Sequence, residues 1–262
     1  MSGSSNFIIM FSILKYVLMT AIRDWLYVGV VISLLVAFGI SILIGNSAFA
    51  ENNQFSIIYI AGSGRVLFAI GIILFICFNI RKSFDNKEVD FFLSKAISRN
   101  KYILSYILGF FIASLLALLP LIILISILPQ VNYFGLFLWS LSIIFESLIF
   151  ISFAILTSFI FQSAVFSVLA SFGFYIISRM MGFFVMTISL SDDIQNFDSF
   201  GKFIAKLISI IIPRLDLFAK SEWLIYGANI ALTDIFTILI QSIIYVPLMI
   251  FMCFFDFNRK QF

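Results

Sequence analysis

The chain has 262 residues, 63% of them hydrophobic and 11% charged. A soluble domain carries about 25% charged residues, and a chain this short cannot hide so much apolar surface in its own core. A soluble enzyme is therefore excluded, and the bilayer has to serve as solvent for most side chains. The formal charge is only +3, with no basic stripe outside one short segment, so nucleic acid is not an expected partner. There is no histidine, which removes the commonest metal ligand and general base. The two cysteines, Cys77 and Cys253, lie in apolar runs and are poor disulfide candidates.

Residues 7–22 come first. Phe7, Phe11, Leu14 and Leu18 share one helical face, which predicts an elbow helix lying in the membrane interface. A helix needs about 20 mostly apolar residues to cross a bilayer. Six stretches meet that length: 25–45, 57–80, 102–128 (closed by Pro129), 134–160, 164–190 and 231–254. Trp25 and Tyr27 are interfacial anchors for the first. Ala48-Phe49-Ala50 resembles a cleavage site, but the apolar run before it is too long for a signal peptide, so the span is read as retained. The expected fold is an all-α integral membrane protein, with one transmembrane domain over residues 1–262.

Lysine and arginine set the orientation. The segment 81–101 holds Arg81, Lys82, Lys87, Lys95, Arg99 and Lys101. Lys15, Arg23, Arg259 and Lys260 flank the first and last spans, whereas loops 46–56 and 129–133 hold no cation. Both termini and the 81–101 segment are therefore expected in the cytoplasm. The segment 191–230 is then external. Its apolar stretch 203–212, ended by Pro213, reads as a short interfacial helix.

The segment 81–101 is no ordinary connector. Asp85 with Glu88 three positions on predicts a helix start. Val89, Phe92, Leu93 and Ala96 then recur at helical spacing, giving an apolar face that has to be buried against the membrane surface or a partner.

The residues from Asp90 to Arg99, followed by Lys101-Tyr102, resemble the coupling segment of type-two ABC transporter permeases. Those carry a leucine run and Ser-Lys-Pro-Ile-Ser-Arg between their second and third spans. Here Ser94-Lys95-Ala96-Ile97-Ser98-Arg99 has alanine in place of the proline, Lys87 stands near the family's glycine, and Ser105-Tyr106 replaces a Gly-Lys. Pro213-Arg214-Leu215-Asp216 and the basic tail Arg259-Lys260 also match the family's pattern.

The resemblance implies a bacterial inner-membrane exporter subunit. It implies docking of helix 85–97 on a separate ATPase, with Phe92 and Leu93 in the contact and Asp90 and Arg99 at its rim. It also implies a second permease, identical or related. ATP and Mg would be held by the partner, because Gly62-Ser63-Gly64-Arg65 lacks the Lys-Ser/Thr of a phosphate loop and reads as close helix packing. No cofactor or metal is expected on this chain, which is read as a transporter subunit rather than an enzyme.

Three ionisable residues lie inside spans, where each costs about 2.5–3.5 kcal/mol on insertion scales. They are Arg65, Glu146 and Arg179. Glu146 and Arg179 are at similar depth in consecutive antiparallel helices, which suits a structural pair. Lining of a substrate path stays open, as does snorkelling for Arg65. An ion-gradient transporter that couples through Glu146 and Arg179 is the alternative reading.

Overall fold

The computed structural model describes residues 2–47, 52–88, 99–190, 211–227 and 232–259. In chain order the helices are α1 (Ser2–Arg23), α2 (Trp25–Ser47), α3 (Asn52–Asp85), α4 (Arg99–Ile127), α5 (Tyr133–Ile160), α6 (Ala164–Leu190), α7 (Trp223–Tyr226) and α8 (Leu232–Arg259). A 3-10 turn, Leu215–Leu217, precedes α7. No strand occurs among the described residues. Six helices, α2 to α6 and α8, are long and apolar enough to cross a membrane. The chain is an all-helical, multi-pass membrane protein.

The long helices form because every backbone N–H and C=O in lipid must be satisfied within its own segment. Local side chains fix their ends. Asp24 interrupts α1 and α2, and its carboxylate accepts from the Leu26 N–H at 2.8 Å, capping α2. Asn132 does the same for α5, accepting from the Gly135 N–H at 2.9 Å. Pro120 and Pro247 lie inside α4 and α8 without ending them.

The helix α3 runs through Asp85. That residue therefore closes the second span, where it pairs with Arg81 at 2.5 Å, rather than starting the next helix as its spacing with Glu88 predicts. A turn at Asn86 and Lys87 follows, with Lys87 at a φ of 56°, and Glu88 returns to helical geometry. The same charge pattern fits both readings. The difference is that α3 continues past the apolar run for another turn and a half, which propensity alone does not limit.

α3 and α5 are the most buried of the six and form the centre of the bundle. At the end where α3 stops and α4 begins, aromatic rings form a continuous series. Tyr27 contacts Phe75 at 5.5 Å between ring centroids, Phe75 contacts Phe110 at 5.8 Å, and Tyr106 joins Phe110 at 5.7 Å. Tyr102 then bridges Tyr106 at 4.6 Å to Phe257 at 5.9 Å, and Phe159 joins Phe257 at 5.2 Å and Phe84 at 5.9 Å. The series ties α2, α3, α4, α8 and α5 together, each pair adding about 0.5–1.5 kcal/mol beyond area burial. Ser83 accepts from Tyr106 at 3.3 Å beside it. α1 packs on this end of α4, with Val17 buried against Gly109, where any Cβ would meet the valine side chain. Burial, then a hydrogen bond to Glu88, pushes the Tyr16 phenol up from its usual value, so it stays protonated and donates.

Candidate functional site

Asp90, Phe92 and Leu93, the expected docking residues, lie outside the described residues, as does the stretch 203–210 of the expected interfacial helix. Arg99 opens α4. Within the described residues, the site is built from the three charges inside the spans.

Arg65 and Glu146 each lie thirteen residues after the start of their helices, α3 and α5, or about 20 Å along the axis. Arg179 lies eleven residues before the end of α6, about 16 Å in from the same end of the bundle. Antiparallel order thus brings all three to one depth. The Glu146 carboxylate is 3.8 Å from Nη1 of Arg179 and 3.9 Å from Nη1 of Arg65. Arg65 is 5% exposed and turned into the bundle, so it does not snorkel toward an interface.

The other partner of both arginines is main chain. Past α6, residues 213–219 turn back among the helices. Leu215, Phe218, Ala219 and Leu224 are fully buried, so this part of the segment 191–230 is not a surface loop. Asp216 packs against Gly182, where a Cβ would collide with its carboxylate, and this fixes the loop eight residues inside the end of α6. Irregular backbone at such depth has no water to bond and survives only where protein satisfies it. Arg65 Nη1 donates to the carbonyls of Phe218 at 2.8 Å and Ala219 at 2.6 Å. Arg179 Nη1 donates to the Leu215 carbonyl at 2.7 Å. The Ala219 N–H donates to Ser142 Oγ at 2.6 Å, one turn before Glu146 on α5.

The loop is pinned at its flanks as well. Gln241 accepts from the Arg214 N–H at 2.9 Å, Arg214 pairs with Asp216 at 2.8 Å, and Lys220 pairs with Asp234 at 3.0 Å. The Asn132 N–H donates to the Leu224 carbonyl at 2.8 Å. Gly135 is required beside α7, because a Cβ there would overlap the Trp223 carbonyl.

Satisfaction is incomplete at the centre. Among the described residues, Nε of Arg65 and the Ser178 hydroxyl are buried without a hydrogen-bond partner, while the Tyr175 hydroxyl faces the Glu146 carboxylate. Tyr175 lies close enough to Glu146 and Arg65 to feel both charges. Sequence reasoning singled out the three charges because each interrupts an apolar run. It missed Tyr175, Ser178, Ser142 and the returning loop, whose residue types are ordinary for a membrane helix or an aqueous loop. No family model matches this chain, and no curated protein matches it.

Proposed function

We propose that this chain is the membrane-spanning permease subunit of an ATP-driven type-two ABC transporter, working as an exporter with a separate ATPase. The observation that carries the reading is the Asp90–Arg99 segment, with its Ser-Lys-x-Ile-Ser-Arg pattern, set between the second and third of six spanning helices. The segment joins α3 to α4 at the end where the aromatic series locks both helices to α2, α5 and α8. A push on the segment would therefore move several spans together rather than one connector. In this reading Phe92 and Leu93 enter the motor subunit, Asp90 and Arg99 border the contact, and ATP-driven closure rocks the spans. A second permease completes the path, both termini face the cytoplasm, and α1 serves as the interfacial elbow in a bacterial inner membrane.

The test is purification of the tagged chain in mild detergent, with mass spectrometry and an ATPase assay on the eluate. Wild type should bring down a soluble subunit carrying a glycine-rich phosphate loop, with ATPase activity. Phe92→Asp/Leu93→Asp should lose both while keeping the elution volume and thermal midpoint of wild type. Wild type that elutes alone and inactive in several gentle detergents would end this reading. The fully buried carboxylate of Glu146, inside a span, favours the ion-coupled alternative in that case. Transport that follows a proton or sodium gradient and stops in Glu146→Gln would then establish it.

A further inference from the structure

We propose that Arg179, with Arg65 behind it, forms a subsite for one anionic oxygen group, a carboxylate or phosphate that none of the described residues supplies. The inference does not depend on the transporter reading.

Charge comes first. Two guanidinium groups share the single carboxylate of Glu146, which leaves the cluster one positive charge in excess even with Glu146 ionised. Among the described residues the nearby acids are committed elsewhere, Asp216 to Arg214 at 2.8 Å and Asp234 to Lys220 at 3.0 Å. An unmatched charge at this depth is costly in lipid, and such groups face a bundle interior, a polar cavity or a counter-ion.

Hydrogen bonding points the same way. Among the described residues, Arg65 Nε and the Ser178 hydroxyl are buried and unpartnered donors. Ser178 directly precedes Arg179 on α6. Of the Arg179 guanidinium, only Nη1 bonds a described residue, the Leu215 carbonyl, and its Nε and Nη2 are left over. Glu146 does not absorb these donors, since neither Arg65 Nε nor the Ser178 hydroxyl bonds it.

Exposure shows where the group enters. The Arg179 side chain is 28% exposed, against 6% for Arg65 and 1% for Glu146. The opening lies on the flank of α6, where its neighbours Ile176, Met180 and Phe183 are exposed and apolar. A planar guanidinium with two free donor positions matches two oxygens of a carboxylate or phosphate, and the apolar rim suits an anion that carries a hydrocarbon body. A lipid headgroup and a free anion share this chemistry.

The two sources separate experimentally. Purified chain is titrated with phosphatidylglycerol or phosphatidylcholine and read by native mass spectrometry, and its thermal midpoint is measured in inorganic phosphate against chloride at equal ionic strength. Wild type should retain phosphatidylglycerol over phosphatidylcholine by at least about tenfold, and Arg179→Gln should lose the preference. A phosphate-dependent rise in midpoint that vanishes in Arg179→Gln, with both lipids retained alike, assigns the subsite to a free anion. Glu146→Gln removes the competing carboxylate and should hold the anion more tightly than wild type. The proposal is overturned if wild type shows neither preference nor shift, or if Arg179→Gln keeps what wild type shows. Should Arg179→Gln fail to fold, an anion response in Glu146→Gln no stronger than in wild type overturns it.

Discussion

Arg65→Met removes the donor that bonds two buried carbonyls and leaves Glu146 facing Arg179 alone. Each hydrogen bond to a charged donor contributes about 1.5–3 kcal/mol, and the bonds to Phe218 and Ala219 are 2.8 and 2.6 Å long at a site 5% exposed. Glu146 keeps Arg179 at 3.8 Å, so no carboxylate is left without a counter-charge. The two lost hydrogen bonds together give an expected loss of about 3–6 kcal/mol. In the scaling of a 150–250-residue domain this is on the order of 10 °C in thermal midpoint. The damage should begin locally, with faster amide exchange across 213–219 before the spans separate, since the loop has few other polar partners at that depth. Thermal melting in detergent and hydrogen exchange by mass spectrometry read both effects. The double variant Arg65→Met/Glu146→Leu should fall further than the single one, because it also leaves the Arg179 guanidinium without its carboxylate. A single variant within about 1 kcal/mol of wild type, with unchanged exchange at 213–219, would refute the view that Arg65 holds the loop.

Two smaller perturbations test how the loop is seated. Asn132→Ala removes the side-chain cap of α5 and should cost about 1 kcal/mol, whereas Asn132→Asp, which keeps an acceptor for the Gly135 N–H, should melt within a few degrees of wild type. Ser142→Ala deprives the buried Ala219 N–H of its acceptor and should cost about 1–3 kcal/mol, visible as faster exchange at Ala219 while amides of α2 stay unchanged.

The charged side chains of the site were legible in the amino-acid order, since Arg65, Glu146 and Arg179 each break a run that otherwise matches a bilayer span. Depth counted along antiparallel helices also brings Glu146 level with Arg179. Arg65 was harder, because thirteen residues from a helix start is compatible with reaching back to an interface. What it bonds lies about 150 residues away in the chain, in a stretch whose mixture of acids, lysines and proline looks like an aqueous loop. Local pattern carries no term for a carbonyl that is satisfied by a distant guanidinium. Asp85 shows the same limit at shorter range, since one acidic residue suits the end of a helix paired with Arg81 as well as the start of another.

The sequence by itself determined that this is a helical membrane protein with six spans, because the length and polarity of a bilayer-crossing helix are fixed by the lipid and read directly from composition. Only the tertiary structure decided what the buried charges do. It set two arginines on one carboxylate, turned residues 213–219 back among the helices to bond them, and left Arg179 partly open. Those outcomes depend on which helices pack together and on main-chain polar groups that need partners once water is excluded, and neither is written in any single stretch of the chain.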